Sequence, residues 1–89
     1  MERAWVLVSA ASDAAEDLAD HISAIKGVRL IDRVRGQFAL VAAIRLPDRE
    51  SLTRVVDDIR QLEGVKQVSV CEVIASQRIA TRGADPGWP

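Results

Sequence analysis

The stretch from Ile25 to Ile44 constrains the fold of this chain most strongly. Gly27 stands where a helix would end in a left-handed residue, and the pair Gly36-Gln37 separates two runs rich in β-forming residues. The pattern therefore predicts a helix that leads directly into a β-hairpin with a tight turn at Gly36.

An internal repeat extends this pattern to the whole chain. Residues 26–29, KGVR, match residues 63–66, EGVK, and each segment follows an apolar run and an amphipathic stretch. A strand–helix–strand unit that occurs twice predicts the order βαββαβ. Asp13 and Glu16 are expected to form a capping box for the first helix, and Asp48 is expected to cap the second.

The distribution of charge separates central strands from edge strands. Residues 4–11 and 38–46 are nearly continuous apolar runs, as expected of strands covered on both faces. Residues 28–35 and 65–74 carry polar or charged residues between apolar ones, which is typical of edge strands. Two central strands and two edge strands, joined by short connections and right-handed crossovers, predict an α+β, ferredoxin-like fold. Its four-stranded antiparallel sheet has the order 4-1-3-2, with two helices on one face.

Side-chain alternation assigns residues to the two faces of the predicted sheet. The face that the helices cover is expected to hold Val6, Val8, Phe38, Leu40, Ala42, Ile44 and Leu46. The opposite face is expected to show an apolar patch made of Trp5, Leu7, Ile31, Ala39, Val41, Ala43 and Val73. Residues 1–75 form a single domain in this interpretation and leave nothing to cover the patch. We therefore predict a homodimer or higher oligomer in which two such sheets pack face to face.

Composition and charge argue against several classes of function. Twelve basic residues against thirteen acidic ones leave a net charge of −1, which gives no general attraction to a nucleic-acid backbone. No apolar run approaches the roughly 20 residues that a membrane helix needs, and a single cysteine fits a reducing compartment. We expect a cytoplasmic protein that binds neither nucleic acid nor membrane directly. Residues 76–89 are expected to form a tail that is disordered or docks on a neighbour.

Few residues point to catalysis or metal binding. His21, the only histidine, follows Asp17 by one helical turn and could act as a base held by a carboxylate, although a solvated pair on a polar helix face explains it more simply. Cys71 has no partner at nucleophile or ligand spacing and is expected to be a small buried residue. No catalytic residue, cofactor or metal is predicted.

The hairpin leaves two interpretations open. Arg29, Arg33 and Arg35 could hold an anionic group, or they could keep an edge strand from pairing with other chains. Gly36 could let a ligand approach the backbone closely, or it could supply the positive φ that the turn needs.

One set of residues matches a known family in kind and spacing: Gly27, Val28, Val34, Gly36, Phe38, the apolar run from Leu40, and the sequence LEGV at residues 62–65. On these residues the chain resembles the effector-binding (RAM) domain of the Lrp/AsnC family of transcription regulators, over about residues 5–74. This resemblance implies a domain of the dimeric α/β-barrel type that pairs through its sheet and binds amino acids or related small effectors at subunit interfaces. Since Met1 leads directly into the first strand, the chain resembles the stand-alone form, which could join full-length regulators in mixed oligomers.

The resemblance implies a ligand site at the hairpin turn, lined by Arg35, Gly36, Gln37, Phe38 and Ala39. The family usually has aspartate where Ala39 stands and threonine where Arg35 stands. The guanidinium of Arg35 would allow contact with an anionic effector.

Two other functions fit the same fold. A cofactor-free oxygenase of the dimeric α/β-barrel class needs a deep apolar cavity, which the small Ala39 and Ala43 could leave. A small peptide-binding chaperone, such as that of periplasmic nitrate reductase, would use an exposed strand edge.

Overall fold

Six elements follow one another in the order βαββαβ, as the repeat predicts. The computed structural model describes residues 1–77 and residue 79, so most of the predicted C-terminal tail lies outside the described residues. The elements are β1 (Glu2–Ala10), α1 (Ala15–Ser23), β2 (Val28–Arg33), β3 (Leu40–Leu46), α2 (Arg49–Arg60) and β4 (Val65–Glu72).

The four strands form one antiparallel sheet in the order β2-β3-β1-β4, which is the predicted order counted from the other edge. β1 pairs with β3 from Glu2 opposite Leu46 to Val8 opposite Leu40. The two apolar runs are therefore the central strands, and the two charged runs are the edges, as their patterns predict.

An aliphatic core fills the space between the sheet and the two helices. Its buried members are Ala4, Val6, Val8, Leu18, Ile22, Leu40, Ala42, Ile44, Leu46, Leu52, Val55, Val56 and Ile59. Each is 0–8% exposed, and among the described residues no buried side chain is polar or charged. The predicted helix-covered face is thus confirmed in β1 and β3, with Phe38 as the exception.

β3 begins later than predicted because residues 34–39 form a connection longer than a tight turn. The N–H of Val34 donates to the carbonyl of Ala39 at 2.9 Å, and the N–H of Ala39 donates to the carbonyl of Val8 at 2.9 Å. The first bond joins the two ends of the connection to each other, and the second ties its C-terminal end to β1. Phe38 lies within the connection, half-buried and outside the core, so its predicted place on the helix-covered face is wrong.

The two helices begin in different ways. Asp48 caps α2 as predicted: its Oδ1 accepts a hydrogen bond from the backbone N–H of Ser51 at 2.7 Å. That bond holds the pKa of Asp48 below its usual value of 3.8. α1 follows Ala14, which makes no side-chain cap, so the capping box predicted at Asp13 is wrong. A backbone turn replaces it, since the N–H of Ala14 donates to the carbonyl of Ala11 at 2.9 Å.

Gly27 and Gly64 hold equivalent places in the two halves of the repeat, with φ of +99° and +95°. A Cβ at Gly27 would lie 2.8 Å from Cγ of Leu46, and a Cβ at Gly64 would lie 2.7 Å from Cβ of Ala14. Positive φ and close packing both exclude a larger residue. The glycine–valine repeat thus marks the two places where the chain passes from helix to strand against a packed neighbour.

Candidate functional site

One face of the sheet carries no helix. Trp5 lies opposite Ala43 and Cys71 in the neighbouring strands, and Leu7 lies opposite Val41. Directly opposed residues of antiparallel strands project from the same face. We name this surface the open face; it comprises Arg3, Trp5, Leu7, Leu30, Asp32, Val41, Ala43, Arg45, Ser69, Cys71 and Val73.

β2 contributes Leu30 and Asp32 to the open face instead of Ile31. Ile31 lies opposite Ala42 and packs against the core, so its predicted place on the open face is wrong. The cause is a register shift between Val28 and Leu30, where an extra residue reverses the alternation of every side chain that follows.

The turn that the family resemblance implies as a ligand site lies at one end of this sheet. Arg35, Gly36 and Gln37 are exposed, while Phe38 and Ala39 are half-buried. Ala39 packs against the core, so its predicted place in the apolar patch of the open face is wrong. Gly36 has φ of +124°, and a Cβ there would meet nothing within 4 Å. The backbone conformation, rather than crowding, therefore accounts for the glycine. None of the three surface grooves considered below includes these five residues.

A groove of about 590 Å³ lies at the other end of the open face. It forms where β1 begins and where β3 and β4 end, and residues 73–76 make one of its walls. We name it the arginine groove; its lining is Arg3, Ala4, Trp5, Arg29, Ala43, Ile44, Arg45, Cys71, Glu72, Val73, Ile74, Ala75 and Ser76.

Three guanidinium groups give the arginine groove its charge. Arg3 and Arg45 are directly opposed in the pairing of β1 with β3, and Arg29 lies at the register shift of β2. Nη2 of Arg3 donates a hydrogen bond to Oγ of Ser76 at 2.7 Å. Within residues 1–77 and 79, none of the three arginines takes part in an ion pair. The sequence signal for this cluster is weak, because the three residues are far apart in the chain and meet only through strand register.

A second groove, of about 540 Å³, contains the histidine considered above as a base. Nδ1 of His21 donates to the backbone carbonyl of Asp17 at 2.8 Å, so the ring is held by the main chain and not by a carboxylate.

A third groove, of about 160 Å³, lies between α2 and β4. In the described part of the chain, no cluster of three or more His, Cys, Asp or Glu side chains could hold a metal ion.

Cys71 differs from its prediction. The sequence predicts a buried residue, but Cys71 is exposed, because it lies on an edge strand and projects from the face that no helix covers.

No helix among the described residues has the length and apolar character needed to cross a membrane.

Several proteins of known structure share the fold of this chain. TTHA0845 from Thermus thermophilus is 30% identical, with a TM-score of 0.83, and the match covers 89% of this chain and 100% of that one. Escherichia coli AsnC is 8% identical with a TM-score of 0.81, and the match covers 90% of this chain and 55% of that one. A Neisseria meningitidis transcriptional regulator solved in complex with L-Met is 22% identical, with a TM-score of 0.76 and coverage of 90% and 54%. The last two matches show a shared fold, and this chain spans just over half of each regulator.

Sequence comparison points to the same group. A search of curated proteins returned no match. The family model for the Lrp/AsnC ligand binding domain matches residues 3–82, which is most of the chain. The chain therefore belongs to the Lrp/AsnC ligand-binding domain family.

Proposed function

We propose that this chain is a regulatory domain that binds a small, amino-acid-like metabolite and acts through the assembly of several copies. Membership in the Lrp/AsnC ligand-binding family supports the regulatory role. The observation that carries the proposal is the open face, whose central residues Trp5, Leu7 and Val41 remain partly exposed while the other face of the sheet is filled by the core.

Pairing of two copies through the open face explains this uncovered apolar surface. Sheets that stack face to face lie about 10 Å apart and interdigitate their side chains. Leu7 and Val41 would lie at the centre of such an interface, with Trp5, Ala43 and Val73 toward one end. A small chain buries a limited share of its surface when it folds, so the paired state would also stabilise each copy.

The proposal puts the effector at the turn of residues 35–39, where a neighbouring copy would complete the site. Three features support this position: the exposed guanidinium of Arg35, the half-buried ring of Phe38, and the bond from Ala39 to Val8 that fixes the end of the turn. The complex of the Neisseria regulator with L-Met supports the amino-acid-like class of ligand.

Full-length regulators are the proposed partners in addition to further copies of this chain. The match with E. coli AsnC covers 55% of that chain, so the same fold there forms part of a longer chain. In a mixed oligomer, both kinds of chain would pair through the same face of the sheet. Such assemblies would act in the cytoplasm, where a regulator meets both metabolites and DNA.

A thermal-shift screen of amino acids and small organic acids tests the proposed function. A compound present at about 100 times its Kd stabilises the folded state by about 2.7 kcal/mol. For a domain of this size, that corresponds to a rise in Tm of roughly 10 °C or more. We expect the rise to be lost in Arg35→Gln and kept in Arg33→Gln, a matched change on the same hairpin. No stabilisation by any compound would count against an effector role.

A further inference from the structure

We propose that β4 is an edge through which two copies of this chain join their sheets side by side, with the two β4 strands antiparallel and centred on Ser69. β4 is an edge strand, since among the described residues it pairs only with β1. The contact uses main-chain groups that lie in the plane of the sheet, whereas the open face presents side chains that project from it. It therefore neither needs nor prevents pairing through the open face.

The alternation of main-chain hydrogen bonds shows which groups of β4 are directed to its free edge. The N–H of Val73 donates to the carbonyl of Arg3 at 2.9 Å, and these two residues continue the register in which Glu72 lies opposite Ala4. Opposed residues of an antiparallel pair alternate between those that exchange hydrogen bonds and those that do not. Residues 69, 71 and 73 therefore bond to β1, and residues 68, 70 and 72 direct their N–H and C=O groups away from it.

These outward groups limit how two β4 strands can pair. Two outward residues must face each other to exchange hydrogen bonds, so a two-fold axis passes through a residue and not between two residues. With the axis at Ser69, Val68 of each copy faces Val70 of the other, and each facing pair exchanges both of its hydrogen bonds. The centre of the contact is then uncharged and aliphatic.

Charge selects the axis at Ser69 among these registers. Lys66 and Glu72 are exposed and lie three residues before and three residues after Ser69, so each faces the other residue type in the second copy. Lys66 is the extra residue of the bulge where β1 and β4 shift register, which leaves it unpaired with β1. Opposite charges at facing positions stabilise a pair of strands. An axis one residue away on either side would lose both of these charge pairs.

Carboxylates outnumber cations at the Glu72 end of this edge. Oε1 of Glu72 lies 3.0 Å from Nη1 of Arg49, and its Oε2 accepts from Nη2 at 3.0 Å. Oε1 of Glu2 lies 4.0 Å from the same Nη1. Two carboxylates therefore share one guanidinium and leave a net negative charge, with Glu72 held in place beside the strand. Lys66, which takes part in no ion pair within residues 1–77 and 79, would balance that charge from the second copy.

The other edge of the sheet lacks this complementarity. β2 is six residues long against eight for β4, and it carries Arg29 and Arg33 at equal spacing on either side of Ile31. Two β2 strands centred on Ile31 would place these arginines opposite each other. Like charges at facing positions destabilise a pair of strands. The sequence of β2 therefore opposes pairing with itself, whereas that of β4 favours it.

Disulfide trapping tests the proposed register. Ser69 would face Ser69 of the other copy at a non-hydrogen-bonded position, with Cα atoms about 4.5 Å apart, which a disulfide can span. The contact buries little side-chain surface, so oxidation is carried out at millimolar concentration. Ser69→Cys in a Cys71→Ser background should give a linked species of twice 9.7 kDa. Copies that pair only through open faces lie about 10 Å apart, too far for this bond, so the cross-link reports the edge contact alone.

Gln67 provides a matched control and a second test. In the same Cys71→Ser background, Gln67→Cys should remain unlinked, because the two new cysteines would lie about 14 Å apart, four residues along the strand. With the native Cys71 retained, Gln67→Cys should become linked, because Gln67 faces Cys71 of the other copy. This second variant tests the register even if Ser69→Cys disturbs the fold.

Lys66→Glu tests the charge pairs in the Ser69→Cys, Cys71→Ser protein. It places carboxylates opposite each other at both ends of the contact and should slow cross-linking several-fold. Lys26→Glu makes the same change at an exposed position after α1 and should leave the rate unchanged. Absence of cross-linking in both linked variants, equal cross-linking of the Gln67→Cys, Cys71→Ser control, or equal slowing by Lys26→Glu would overturn the proposal.

Discussion

Replacing Leu7 with aspartate tests whether the open face pairs two copies. Leu7 lies at the centre of that face, opposite Val41 and Ser69. Its side chain projects away from the helices and does not belong to the core, so the fold of the single chain should persist. The substitution therefore acts on association rather than on folding.

The size of the effect follows from burial and symmetry. Full burial of a leucine side chain contributes about 1.5–3 kcal/mol, and we take the lower end because Leu7 is already half-buried in the single chain. A two-fold pair contains this residue twice, so about 3 kcal/mol of association free energy is lost, or roughly a 100-fold rise in Kd. The desolvation of two carboxylates adds to that loss.

Sedimentation equilibrium at micromolar concentration measures the outcome. The parent chain should have a mass that is a multiple of 9.7 kDa, and Leu7→Asp should approach the single-chain mass. Thr53→Asp introduces the same charge on the exposed face of α2 and should keep the parent mass. Retention of the parent mass by Leu7→Asp, or equal dissociation of Thr53→Asp, would show that association does not depend on the open face.

Three further predictions concern stability. Gly27→Ala should lower the free energy of unfolding by about 3 kcal/mol or more, because the alanine must adopt positive φ and its methyl must displace Leu46. Gly36→Ala also needs positive φ, but its methyl meets no neighbour, so its free energy of unfolding should fall by only about 1–2 kcal/mol. Urea unfolding compares the two, and equal losses would contradict the packing argument. Arg45→Thr should raise stability by about 0.2–1 kcal/mol, and more at low salt, because it removes one of two opposed arginines; a loss measured in the same way would contradict this. Because the pKa of Asp48 is lower in the folded chain than the ordinary 3.8, its cap stabilises the fold above that value and is lost as the pH falls through the folded pKa. Thermal melts should therefore show that Asp48→Ala lowers Tm at neutral pH and lowers it less in acid, and a pH-independent difference would contradict the linkage.

Periodicity and the repeated glycines were sufficient to predict the order of elements, the order of strands and the side of the sheet that the helices cover. The apolar runs around Val6 and Ile44 require burial on both faces, and few topologies satisfy that requirement with short connections. Sequence alone could not reveal the register shift after Val28, which moves Ile31 to the core and Leu30 to the open face. Because Leu30 and Ile31 are adjacent apolar residues on opposite faces of β2, the sequence does not show where the extra residue lies.

The arginine groove could also be predicted only in part from the sequence. Arg3 begins the first strand and Arg45 ends the third, so the predicted antiparallel pairing of those strands already brings them to one end of the sheet. Their direct opposition, however, depends on register. The wall made by residues 73–76 depends on hydrogen bonds to Arg3 that no sequence pattern indicates.

The distance between the Cys71 residues of two assembled copies measures directly whether the open faces pair. Cys71 is the only cysteine, is exposed and projects from the open face, so a nitroxide label can be attached there. Facing sheets lie about 10 Å apart, which predicts a separation of roughly 20 Å between labels on this edge strand, measured by electron spin resonance. Labels at Thr53→Cys in a Cys71→Ser background should lie beyond about 40 Å, since a helix layer about 10 Å thick covers the outside of each sheet. A short distance at position 53 combined with a long one at Cys71 would mean that copies pair through their helices and not through their open faces.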